Sequence, residues 1–172
     1  GEVMAIPGSK EWLASVSEDI VDPERSIIDT HHHLWKTASL WGTYELADLW
    51  SDTDSGHNIE KTIFIDCHSE YRTEGPSHLK PIGETEYVAE IAAESRKEPN
   101  RATIAGIVGH ANMTLGSGVE EVLVAHEQAG NGLFRGIRHA GPSDDTGTLT
   151  NAGGRRPCPY SRDDFREGLM TL

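Results

Sequence analysis

Cysteine is scarce: the chain of 172 residues has two, Cys67 at the end of an apolar run and Cys158 inside Pro-Cys-Pro. Contexts so unlike suggest neither a disulfide framework nor a cysteine-based zinc site, and Cys67 reads as a small buried apolar residue. Long apolar runs are missing too. No stretch approaches the ~20 apolar residues that a membrane-spanning helix needs. No basic segment followed by an apolar one opens the sequence, so a cytoplasmic location is expected. Positive charge is the third shortage, with 15 Lys and Arg against 28 Asp and Glu, a formal net charge of −13. Such a balance repels phosphate backbones and anionic lipid, so the expected partners include a small-molecule substrate but neither nucleic acid nor membrane. The length suits a single domain, 1–172, with a real core.

What stands out is Ser26-Ile27-Ile28-Asp29-Thr30-His31-His32-His33-Leu34-Trp35. Side chains alternate along a strand, so Asp29, His31 and His33 share one face and His32 takes the other. Two imidazoles spaced by two at a strand end can reach one divalent metal, which makes His31 and His33 candidate metal ligands.

Further along, Ser9 caps a short helix from Lys10 that would lie as a lid over the bottom of the core. Apolar strands are predicted at Ser26–Asp29, Thr62–Cys67, Ala102–Val108 and Leu133–Ile137. A long polar excursion from Lys36 to Asn58 contains a helical turn at Tyr44–Leu49 and is expected to be functional. Helices follow the later strands: one opens at Gly83 with Val88, Ile91, Ala92 and Ser95 on one face, and one carries Val119, Val122, Leu123 and His126 until Gly130. After a polar, Gly/Pro-rich loop to Tyr160, Ser161 and Asp164 form a capping box for a last helix bearing Phe165, Leu169 and Leu172. Continuous apolar strands alternating with helices define an α/β class with a parallel sheet. The Gly-x-Gly-x-x-Gly turn of a doubly wound sheet is missing after the first strand, and the spacing of ~30 to 40 residues per unit suits a TIM-type barrel, of which only about the first four of eight units are present.

Each predicted strand runs into a histidine: His33, His68, His110 and His139. The carboxyl ends of parallel strands converge on one mouth, so these side chains are candidates for the site, with His110 and His139 as the catalytic positions. Arg138 can take a substrate carboxylate in bidentate fashion or close a salt bridge to Asp66 or Glu70. His68 and Glu70 are the other substrate-binding candidates, Glu70 having a loop-capping alternative.

The chain resembles the amino-terminal half of amidohydrolase-related proteins, predicted metal-dependent hydrolases of the TIM-barrel fold, in their lactonase-like branch. The segments that carry the resemblance are Ile28–Trp35, Glu70–Pro76 with Pro81–Glu86, Ala105–His110 and Phe134–His139. The resemblance implies that His31 and His33 are the first-strand ligand pair for one divalent ion, zinc or else manganese, and that Arg138 and His139 line the substrate mouth. It also implies that the later metal ligands and a general-base aspartate belong to a second half, so this chain is expected to be incomplete and to associate, as a homo-oligomer or with the missing half. The expected activity is hydrolysis of a lactone, or another cyclic ester or amide, of a small carboxylated substrate. The alternatives are a decarboxylase or hydratase of the same superfamily and, in a different class, an inactive self-associating half-barrel.

Overall fold

The computed structural model describes residues 7, 9–39, 42–141, 146 and 158–172. In chain order its elements are α1 (Lys10–Leu13), β1 (Ile27–His32), β2 (Trp35–Ser39), β3 (Gly42–Tyr44), α2 (Leu46–Thr53), β4 (Ile59–Ile65), α3 (Ile82–Ser95), β5 (Thr103–His110), α4 (Val119–Ala129), β6 (Phe134–Arg138) and α5 (Asp163–Thr171). The architecture is mixed α/β. Strands β1, β4, β5 and β6 form one parallel sheet in that order, so each strand pairs with the next one in the chain and the order never reverses. Strands β2 and β3 form a separate antiparallel pair. Among the described residues no helix is long and apolar enough to cross a membrane.

Helices cover one face of the sheet. Thr62 and Phe64 of β4 and Ile104 of β5 are fully buried, and Phe64, Ile104 and Ile107 pack with Val88 and Ala92 of α3 and with Leu34, Leu46 and Leu49. A second cluster joins Ile82, Val119 and Val122 to Met113, Ala111 and Phe165. On β4, Ile63 and Ile65 alternate with the buried pair and are only half-buried, as the two-residue period of a strand requires when one face is covered.

Four local expectations are corrected. The excursion after Leu34 contains the hairpin of β2 and β3, closed by Trp35 stacked on Tyr44 with ring centroids 5.5 Å apart; strands this short leave little periodic signal. Ser161 does not cap α5, because Pro159 starts a tight turn over Pro159–Ser161 that takes up the serine, and Arg162 becomes the N-cap with its guanidinium on Asp164. Only Phe165 of the expected apolar face of α5 is buried, while Leu169 and Leu172 are exposed. Nor is α1 a lid: Ser9 does accept the Trp12 N–H at 3.2 Å, yet Trp12 and Leu13 are exposed. Most of the predicted loop between His139 and Tyr160 lies outside the described residues.

Candidate functional site

The first group of side chains sits where β1 ends. Asp29 pairs with Thr62 and His32 with Phe64, so β1 spends three steps against two on β4 and bulges there. Asp29 Oδ1 accepts the His31 backbone N–H at 3.1 Å, which braces the bulge. His31 Nε2 and His33 Nε2 then stand 3.2 Å apart. His33 Nδ1 lies 2.7 Å from the Ile65 carbonyl oxygen. A carbonyl can only accept, so Nδ1 carries the proton and Nε2 keeps its lone pair turned toward His31.

This pair fits a divalent ion in two respects. Two nitrogens each ~2.1 Å from a tetrahedral zinc would be ~3.4 Å apart, close to the separation of the pair. The Nδ1–H to carbonyl bond of His33 is the outer contact that usually orients a metal-binding imidazole. A hydrogen bond from His31 Nε2–H to His33 Nε2 would give the same distance. Among the described residues no group of three or more His, Cys, Asp or Glu side chains converges as a metal site, so a bound ion would find two of the usual three or four ligands there. Beside the pair a cavity of about 280 Å³ is lined by Asp29, Trp35, Tyr44 and Asp52 as well as the histidines. Tyr44 donates to Asp52 at 2.5 Å, and burial together with Asp52 pushes its hydroxyl far above the ordinary value.

His32 turns the other way, as strand alternation requires. Its ring is 7 % exposed and packs edge-on against Phe64 at 5.8 Å. Neither ring nitrogen has a partner at hydrogen-bonding geometry. Burial lowers its pKa to about 4, the nearby Ile63 backbone and Asp29 offsetting only part of that, so the ring is neutral near pH 7.

The second group lies at the ends of β4, β5 and β6. His110 is the last residue of β5, His139 follows β6 by one residue, and His68 stands three residues beyond β4 in a left-handed conformation (φ 63°). The ring centroids of His68 and His110 are 5.3 Å apart and those of His110 and His139 5.6 Å apart. A cavity of about 320 Å³ opens here, lined by His68, Tyr71, Ser77, His110 and Asn112 among others. Arg138 donates to the Asp66 carbonyl and sits 3.6 Å from its carboxylate, so the salt bridge weighed for it exists, with Asp66 as the partner. The guanidinium side chain is still 38 % exposed. Glu70 leaves this group: its carboxylate binds Lys36 at 3.1 Å and Thr37 at 3.3 Å, tying the loop after β4 to β2.

Beneath the histidines lie Asp66, expected from the sequence only as a partner for Arg138, and Glu84, to which sequence reasoning gave no role. Asp66 and Glu84 are each 1 % exposed. Tyr71 donates to Asp66 at 2.7 Å. Glu84 Oε1 accepts the backbone N–H groups of Cys67 at 3.1 Å and Ser69 at 2.7 Å, which pins the loop that carries His68. Glu84 Oε2 is buried without a partner at hydrogen-bonding geometry, although Asp66 is close enough to perturb it. Burial and Asp66 push Glu84 up to about 10. Burial also pushes Asp66 upward, but the Glu84 carboxyl, the Tyr71 hydroxyl and the nearby His68 and His110 outweigh it and hold Asp66 below its ordinary value. One proton therefore resides on Glu84. The only hint in the sequence is an acid in the first turn of a helix that follows a strand. Helix α3 comes close enough for this contact because residue 83 is glycine; a Cβ there would lie 2.5 Å from the Glu70 carbonyl oxygen.

Comparison of the chain with protein-family models, with curated proteins and with solved structures found no match.

Proposed function

We propose that the chain carries part of the active site of a metal-dependent hydrolase of the amidohydrolase type, acting on a lactone or other cyclic ester or amide of a small carboxylated substrate. The observation that carries this reading is the His31 and His33 pair: two imidazole nitrogens 3.2 Å apart at the carboxyl end of a parallel strand, one with its tautomer fixed by the Ile65 carbonyl. A divalent ion bound there, zinc or else manganese, would lower the pKa of a water and polarise a carbonyl. His33 would present its lone pair without rotation, and His31 would be held by the bulge that Asp29 braces. Arg138, still partly exposed while bonded to Asp66, has remaining N–H groups for a substrate carboxylate.

The sheet supports the barrel part of this reading. Four parallel strands in chain order, with helices on one face and half-buried residues on the other, are what the first half of an eight-stranded barrel would present. Among the described residues β1 and β6 each have one unpaired edge, and further strands, from a second copy or another half, would pair there. The test is hydrolysis of carboxylated lactones with and without added zinc, by the chain alone and by an assembly that completes the sheet. Turnover that requires zinc and is lost in His31→Ala/His33→Ala supports the reading; turnover indifferent to both changes refutes it.

A further inference from the structure

The histidines after β4, β5 and β6 differ in which nitrogen carries a proton, and backbone partners decide this. His139 Nδ1 accepts the Met113 backbone N–H at 3.0 Å, so in the neutral ring Nε2 holds the proton and can only donate. Burial, with His110 nearby, lowers the His139 pKa, which keeps that ring neutral. His110 has the opposite arrangement. Its Nδ1 lies 2.9 Å from the Arg138 carbonyl oxygen and must donate, which leaves the Nε2 lone pair free. His126 is consumed altogether: it is fully buried, its Nε2 donates to the His110 carbonyl at 2.9 Å and its Nδ1 accepts from the Thr85 hydroxyl at 2.8 Å.

These contacts also fix where His110 stands. His126 holds its backbone from below, an approach that Gly109 permits because a Cβ there would lie 2.6 Å from the His126 ring. The Arg138 carbonyl holds its ring, and Arg138 is itself tied to Asp66. His110 Nε2 has no protein partner among the described residues, and His110 lines the 320 Å³ cavity. His68 lines it too, but its side chain is 65 % exposed and its Nε2 stands 3.9 Å from the Asp66 carboxylate.

We infer that His110 Nε2 is the general base for a water bound in the cavity at the ends of β4 and β5. This assignment rests on the hydrolytic reading above, and it places the base within this chain instead of on an aspartate from a second half. In the step, the water oxygen forms a bond to the carbonyl carbon while its proton passes to Nε2. The bond from that carbon to the ring oxygen then breaks as Nε2 returns the proton to the departing oxygen. Water is consumed and no redox partner is needed.

His110→Asn tests this, because an asparagine amide can replace the Nδ1–H bond to the Arg138 carbonyl but has nothing at the position of Nε2. With δ-valerolactone and dihydrocoumarin as probes and the same zinc-loaded assembly for both proteins, kcat should fall at least ~10²-fold while zinc uptake stays at the wild-type level. Activity within threefold of wild type overturns the base assignment and leaves the hydrolytic reading standing. A wild type inert toward both probes and toward carboxylated lactones overturns the hydrolytic reading and the assignment with it. If His110→Asn does not fold, long-range proton–nitrogen NMR of the wild type decides: the neutral His110 ring should carry its proton on Nδ1, and a neutral ring protonated on Nε2 overturns the assignment.

Discussion

Replacing Glu84 by glutamine and by alanine should have very different consequences, because the side chain serves as a neutral acceptor inside the loop after β4. Alanine would strand the N–H groups of Cys67 and Ser69, which Glu84 Oε1 now accepts at 3.1 and 2.7 Å. A buried donor left without a partner costs roughly 1–3 kcal/mol, and both residues are only partly buried, so the loss should be about 2–4 kcal/mol. Against a typical domain stability of roughly 5–15 kcal/mol that is a large fraction. Glutamine keeps the accepting oxygen and should cost under about 1 kcal/mol at pH 5. The pH dependence separates the two states of the carboxyl. Glu84 is raised from 4.5 to about 10 in the folded chain, so the native state holds a proton that the unfolded chain releases above pH 4.5. Its contribution is thus complete below 4.5 and lost as pH rises toward about 10, at most ~1.4 kcal/mol per pH unit. Glu84→Gln has no such proton to lose and should gain on the wild type between pH 5 and 9. Urea unfolding followed by tryptophan fluorescence at several pH values measures this. Equal damage by glutamine and alanine at pH 5, or a wild-type to glutamine difference that does not change with pH, would refute a protonated Glu84.

Gly83→Ala should destabilise the fold by more than about 2 kcal/mol in a thermal melt, since its Cβ would lie 2.5 Å from the Glu70 carbonyl oxygen and 2.7 Å from the Arg72 nitrogen, both backbone atoms. His32→Ala should leave metal uptake unchanged, because its ring is buried against Phe64 while the His31 and His33 nitrogens meet each other; loss of metal as complete as in His33→Ala would count against the strand geometry. Arg138→Lys should raise KM for carboxylated lactones well beyond its effect on neutral ones, the charge being kept and the bidentate geometry lost. An equal effect on both substrate types would confine Arg138 to its bond with Asp66.

The parallel sheet was legible because its strands are short β-branched and apolar runs that no helix-forming pattern competes with. Expected strands at 62–67 and 102–108 became Ile59–Ile65 and Thr103–His110, and of the four residues that helical spacing placed on one face of α3, Val88, Ala92 and Ser95 are buried and Ile91 is half-buried. The pairing of His31 with His33 followed from two-residue alternation beyond the bulge, but the expected place of Asp29 on their face did not hold: three steps on β1 against two on β4 set Asp29 opposite Thr62 and His32 opposite Phe64, on one face. Apart from the Arg138–Asp66 bridge, tertiary partners were not legible. Glu70 stands near His68 in the chain, yet Lys36 draws it toward β2. Asp66 and Glu84 are 18 positions apart, and only the close packing of α3 on the loop after β4 brings them together. Nor could any pattern show which ring nitrogen of His110 or His139 is protonated, since carbonyl and amide groups from β6 and the turn after β5 decide it.

Zinc titration calorimetry on the wild type and on His31→Ala/His33→Ala tests most directly the claim on which the proposed chemistry depends, that the imidazole pair at the end of β1 holds a divalent ion. The wild type should take up about one equivalent, more weakly than a complete zinc site because two ligands of the usual three or four are in place, and the double variant should take up none. Equal uptake by the two proteins would contradict the claim.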